Sequence, residues 1–330
     1  MRFLGIVLIC ACLILACIPP SQAQQKGQWV PGQMGLNAGV TPDPGFTYSN
    51  MAMNYSASEL DNAAGNRVPG VTGTYGFWAD ENIFVYVPKF KILGAKFVPF
   101  AILNFANGSL VADLSVIPGA NLSKAAGGSG FADTYIQPFG LGWNFKRADV
   151  TVGYGFVAPT GRYTAGASDN VGSGYWGNFI TTGTTVYITK NKGTTANLFT
   201  GWEAHTKKEG TDKTPGQAFT VEWGLGQVLP LKKDFSRLLQ LGLVGYDQWQ
   251  VSDNGGTITV AGVTAPASVL PSYSVHGIGF QSNFILPKHD LVLTFKYYDE
   301  ISAKAHPVGR TIVFGGAWTL RIPKPAPPQK

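Results

Sequence analysis

Apolar and polar positions alternate with period two along most of this chain, and a helical 3.6-residue period is nearly absent. The segment from Thr311 to Ile322 carries the pattern most clearly. Ile312, Phe314, Gly316, Trp318, Leu320 and Ile322 share one face, while Thr311, Val313, Gly315, Ala317, Thr319 and Arg321 share the other. The stretches Val150 to Phe156, Ala196 to His205, Phe219 to Gly226 and Leu291 to Tyr298 repeat it. Such alternation predicts strands with one apolar face. It fits a soluble sandwich, whose apolar face is the core, as well as a membrane barrel, whose apolar face meets lipid. Length separates the two, because about a dozen residues suits a tilted membrane-spanning strand and exceeds the usual ~5–6 of soluble sheets.

The pattern predicts an all-β protein of about twelve strands, at 45–55, 76–88, 97–115, 134–143, 149–158, 178–189, 195–206, 217–228, 238–251, 272–285, 290–303 and 309–322. The connections between them alternate in length. Those at 89–96, 144–148, 190–194, 229–237 and 286–289 are short. Those at 56–75, 116–133, 159–177, 207–216 and 252–271 are long and mostly rich in Gly, Ser, Thr, Asn and Asp; only 304–308 is short where a long one is due. Short turns on one side and long loops on the other mark a transmembrane antiparallel β-barrel, with the short turns periplasmic. An even strand count leaves both termini on that side. Asn107-Gly108 could form a hairpin turn, but a turn there makes the count odd, so a bulge within one long strand is expected instead. Lysines crowd the short turns (Lys89, Lys91, Lys96, Lys146, Lys190, Lys232, Lys288), as solvated turns allow.

The ends refine the picture. Arg2 precedes an apolar run from Phe3 to Ile18, and Ser21-Gln22-Ala23 offers a cleavage site, so residues 1–23 are expected to be a secretory signal peptide. Cleavage after Ala23 removes all three cysteines; cleavage at Cys17 as a lipoprotein is the alternative. Residues 24–44 are expected to be a periplasmic arm or a plug within the barrel, and 323–330 a Pro-rich tail. The expected location is the outer membrane of a Gram-negative bacterium. With 42 glycines, 12% aromatic and only 13% charged residues, the composition suits strands and turns, and the net charge of +6 is modest.

Candidate chemistry is sparse. Gly153-Tyr154-Gly155 lies within a strand pattern and lacks the following helix that a nucleotide site needs. His205, His276, His289 and His306 are not spaced as metal ligands on one element. Ser274 and His276 share a strand face, which a barrel-embedded hydrolase could use, but no orienting acid is evident beside them. Alternation turns Glu203, His205, Glu222, Lys296, Tyr298, Glu300 and Arg321 toward the lumen, since a Lys or Arg facing lipid at the midplane costs about 2–4 kcal/mol. These residues either pair into a network that fills the lumen or line a solute path. Phe131, Tyr163, Tyr175 and Trp176 belong to the long loops and form either an entry site for an apolar solute or an interfacial aromatic girdle.

Several motifs point to a family. Gly130-Phe131-Ala132-Asp133, Pro138, Leu141-Gly142-Trp143, Pro159-Thr160-Gly161-Arg162-Tyr163, Asn170-Val171-Gly172 and Tyr175-Trp176 occur in order, followed by Thr211-Asp212, Glu222-Trp223, Gly245-Tyr246 and Asp253. Together they resemble the phenol meta-pathway degradation proteins. That resemblance implies an outer-membrane transporter and a hydrophobic or aromatic cargo. The leading expectation is thus a monomeric barrel admitting small hydrophobic or aromatic solutes by diffusion, with lipid around it, no cofactor, no catalytic site and no nucleic-acid partner. A structural or adhesion barrel with a closed lumen is the runner-up, and an outer-membrane hydrolase using Ser274 and His276 the third.

Overall fold

The computed structural model describes residues 27–68, 71–117, 120–260 and 262–321. The expected signal segment 1–23 and tail 323–330 lie outside them. Twelve long strands form the wall. They are β1 (Gly45–Leu60), β2 (Val71–Val87), β3 (Phe100–Ile117), β4 (Thr134–Asn144), β5 (Ala148–Ala158) and β6 (Gly177–Tyr187). They continue as β7 (Thr194–His205), β8 (Ala218–Pro230), β9 (Leu238–Gln250), β10 (Ser274–Leu286), β11 (Leu291–Lys304) and β12 (Pro307–Arg321). Each pairs antiparallel with the next. The ring closes where β1 meets β12, from Gly45↔Arg321 to Leu60↔Pro307. Closure removes both sheet edges, which lipid would not tolerate open.

Period two becomes the two sides of this wall. Along β12, Ile312, Phe314, Trp318 and Leu320 face outward and are exposed, while Thr311 and Val313 are buried inside. The outer face continues through Leu293, Phe280, Leu243, Leu225, Leu198, Ile180 and Val152, an apolar band of the kind that meets lipid. A polar exception lies on β1 and β2, where Asn50 donates to Asp80 at 2.5 Å on the outer side.

The strands match the predicted pattern with local differences. β1 and β2 run past 55 and before 76, pairing as far as Ala57↔Tyr75, so the wall is taller there. The bulge expected at Asn107-Gly108 is not formed. Trp78↔Asn107 and Phe77↔Gly108 sit in unbroken register, because the long partner β2 supplies a residue opposite each. The two-residue connection between β11 and β12 is as short as the sequence indicates, with Ala305 at φ 47. Above the ring, Gly255–Val260 and Val263–Pro266 form a hairpin that pairs with Lys213–Thr214.

One seam differs from the rest. β3 and β4 pair only over Phe100–Ile102 and Tyr135–Gln137. Beyond it β3 pairs instead with the short strand Ser129–Phe131, and Ala95–Phe97 takes up the far end of β4. Prolines at 99 and 138 flank the junction, and a proline cannot donate to a ladder.

Candidate functional site: a plugged lumen with an apolar cavity

Residues 27–44 do not hang below the barrel; they run inside it. Trp29, Leu36 and Ala38 are buried there. The segment has no regular secondary structure, so its backbone amides and carbonyls need partners from the wall. The inward-facing polar residues supply them. Glu222 accepts from Trp29 Nε1 at 2.9 Å, from the Met34 amide at 2.8 Å and from the Gly35 amide at 3.2 Å. Glu203 accepts from the amides of Gln28 and Trp29 at 3.1 and 3.2 Å. Lys296 donates to the carbonyls of Gly32, at 3.1 Å, and Gln33. Leu36 donates to Gln281, Asn37 to Asn197, and Gly39 to Thr185. At Gly32 the chain turns with φ +94, and a Cβ there would lie 2.9 Å from the Tyr298 ring, so only glycine fits.

The lumen charges thus bind mostly to the plug rather than to one another. Glu203, Glu222, Lys296, Tyr298 and Glu300 are all buried, and the His205 side chain is fully enclosed. Glu203 and His205 approach at 3.5 Å, and His205 Nδ1 meets the Gly216 carbonyl at 2.9 Å. Glu300 holds the wall instead, accepting from Tyr55 at 2.8 Å, Tyr246 at 3.0 Å and the Gly309 amide at 2.6 Å. The Arg321 side chain lies outside the described part. Charged hydrogen bonds of this kind are about twice as strong as neutral ones, which suits a segment with no ladder of its own.

On the side of β2 to β6 the plug leaves space. A cavity of about 120 Å³ lies against Trp29 and Val30 and is walled by Phe77, Ile102, Tyr135, Val157, Val171 and Phe179. Trp29 stacks on Phe199 with centroids 4.9 Å apart and meets Tyr135 edge-on at 6.2 Å, so its ring is fixed as one wall. An engineered apolar cavity of ~150 Å³ takes up benzene, so this space is on the scale of one ring. Apart from Glu81, Asn104, Asp133 and a few other polar groups, the lining is apolar. Ala132, Asp133, Asn170 and Val171 of this lining belong to the motifs that carry the family resemblance, while Phe77, Ile102, Tyr135 and Phe179 carried no sequence signal beyond their strands; Phe199, behind Trp29, falls on the inward face by alternation.

The loop aromatics divide. Tyr163 and Tyr175 come together around Lys208, whose ammonium lies 4.9 and 6.0 Å from their ring centroids. Burial, and then the nearby Lys213, pull the Lys208 amine down to about 8, opposed by Asp133. Asp133 itself, raised by burial, is held by Ser173 Oγ at 2.5 Å and by the amides of Ser173 and Gly161 at 2.7 and 3.0 Å. Burial also raises the Tyr175 hydroxyl well above its ordinary range. Phe131 and Trp176 belong elsewhere: Phe131 packs on Phe105 at 5.5 Å and Trp176 on Phe156 at 5.9 Å, both partly exposed.

The hydrolase candidates also resolve geometrically. An acid does stand beside His276, since Asp247 lies 2.7 Å from its Nδ1, a contact between neighbouring strands that sequence spacing hides. Ser274 and His276 are not hydrogen-bonded to each other, and Trp249 packs against the imidazole at 5.6 Å.

Comparison with known proteins agrees with this architecture. The fold is similar to that of the COG4313 outer membrane channel from Pseudomonas putida F1, at TM-score 0.64 and 13% identity over 89% of this chain and 100% of that one. Weaker likenesses are to the β domain of the Bordetella autotransporter BrkA (TM-score 0.49, 10% identity, 84% of this chain and 100% of that one) and to a Pseudomonas aeruginosa FadL homologue (TM-score 0.34, 9% identity, 82% and 88%). No curated protein matches the chain. A family model does, over residues 57–314, and on that match this chain belongs to the family described as "Putative MetA-pathway of phenol degradation".

Proposed function

We propose that this protein is an outer-membrane channel that lets small hydrophobic or aromatic molecules pass without energy coupling, and that excludes hydrophilic solutes. The observation that carries this reading is the asymmetric lumen. Glu203, Glu222 and Lys296 are engaged by the plug, while the open volume beside Trp29 is bounded mainly by aromatic and aliphatic groups. A polar solute entering that volume would lose hydration and find few partners, whereas an aromatic ring would meet faces and edges at stacking distance. The apolar outer band supports a place in lipid, and the family supports an aromatic cargo.

The plug equally favours a second reading, a barrel with a closed lumen whose loops bind a partner. Uptake decides between them. Cells carrying the gene should accumulate labelled toluene or phenol faster than cells lacking it, and proteoliposomes should not swell in sugars or amino acids. Equal accumulation in both strains would favour the closed barrel, and swelling in sugars would make the lumen an ordinary aqueous pore. A hydrolase at His276 predicts loss of ester cleavage in His276→Ala; the channel reading predicts uptake unchanged in that variant.

A further inference from the structure

Three residues that line the cavity, Gln28, Glu81 and Asn104, each carry a buried acceptor oxygen with no partner among the described residues, and two of the three stand side by side. Glu81 on β2 and Asn104 on β3 stand directly opposite in register, and both line the space beside Trp29. Glu81 is 4% exposed, and its Oε1 accepts from Gln33 Nε2 at 3.1 Å, while its Oε2 has no partner among the described residues. Asn104 turns its amide nitrogen to the Asp133 carbonyl at 2.9 Å. That bond fixes which end is which, since a carbonyl accepts only from the NH2 group, and it leaves Asn104 Oδ1 as a second unpartnered acceptor. The buried amine of Lys296 is already engaged, because it donates to the plug carbonyls of Gly32 and Gln33. Native proteins rarely leave buried acceptors unmet, so neighbouring ones on side chains that line a cavity invite a donor from within it.

We infer that Glu81 and Asn104 form a head-group site for an amphipathic molecule: a ring-sized apolar body whose polar end donates hydrogen bonds, as an ammonium or a hydroxyl does. The body lies against Phe77, Ile102, Tyr135 and Phe179, and the head reaches the two oxygens. A carboxylate head is disfavoured, since it would bring acceptors to acceptors and a negative charge to Glu81. This rests on the proposed passage of apolar molecules and adds to it a rule for which of them are held.

Four probes of nearly equal size test the rule on the full-length protein in nanodiscs, with empty nanodiscs as the blank: benzylamine, benzyl alcohol, methyl benzyl ether and toluene. The first two carry donors and the last two none. Benzylamine and benzyl alcohol should bind about tenfold or more tightly than the ether and toluene, the ratio expected for one or two hydrogen bonds to buried acceptors. Glu81→Gln should weaken benzylamine about tenfold with toluene unchanged, and Asn104→Leu should weaken benzyl alcohol, both variants being checked for the gel shift of a folded barrel on boiling. Ether and toluene binding as tightly as alcohol and amine would overturn the head-group site and leave the apolar passage standing. Binding of none of the four would overturn the passage itself.

Discussion

The two halves of the lumen treat the same plug differently. Toward β7 to β11 the wall offers Glu203, Glu222, Lys296, Gln240 and Gln281, and the plug backbone is hydrogen-bonded to it at almost every turn. Toward β2 to β6 the plug meets the wall at scattered points, as where Gln33 donates to Glu81 and Gly39 to Thr185, the cavity beside Trp29 and Val30 is lined mostly by aromatic and aliphatic groups, and space remains. A charged wall next to an irregular backbone closes up, because every unmet charge or amide is costly. A mostly apolar wall makes that demand at few points, such as Glu81 and Asn104, and can stay open between them. One half anchors; the other admits.

The largest effect expected follows from removing the anchor's object. Deletion of residues 27–44 should raise single-channel conductance on the order of tenfold, since a barrel of this strand number is otherwise filled by its own contents. Unchanged conductance would mean that the plug does not close the lumen. Next in size is Glu222→Ala, which strips partners from Trp29, Met34 and Gly35 and leaves Lys296 with Glu81 as its nearby carboxylate. A loss of about 3–5 kcal/mol is expected for such a site. It should appear as protease cleavage within the plug while the barrel still shifts on boiling.

On the other half, Ile102→Ala should enlarge the cavity and lower stability by about 2–5 kcal/mol, without freeing the plug. Protease protection of the plug is the readout, and cleavage there as in Glu222→Ala would erase the distinction between the halves. The smallest effect lies in the loops. Lys208 should titrate near 8, seen as a shifted methyl signal after reductive methylation, whereas exposed lysines titrate above 10. Its folded pKa is depressed, so the folded loop binds that proton more weakly than the unfolded chain does. Loop stability should therefore rise modestly as pH climbs from about 8 toward 10.5, and Lys208→Met should abolish the trend.

The wall was legible in the sequence because each of its decisions is local. Ile312, Phe314 and Trp318 announce an outward face two residues at a time, and the loop lengths separate an end of short turns from an end of long loops. The inward direction of Glu222 follows from Val221 and Trp223 on either side of it. What Glu222 does there was not legible, since its partner Trp29 is 193 positions away and belongs to a stretch with no periodicity. Glu81 was hidden differently. Asp80 and Glu81 are adjacent acids on opposite faces of β2, so alternation alone does not say which one is inside. Asp247 beside His276 depends on strand register, which sequence spacing does not carry.

Where an apolar solute sits is the measurement closest to the central claim. With methyl-labelled protein in deuterated detergent, magnetisation transfer from bound toluene should reach the methyl groups of Ile102, Val157 and Val171, which line the cavity, and miss those of Leu36 and Val244 on the anchored side. Transfer to Leu36 and Val244, or to none of these methyl groups at saturating toluene, would contradict the account.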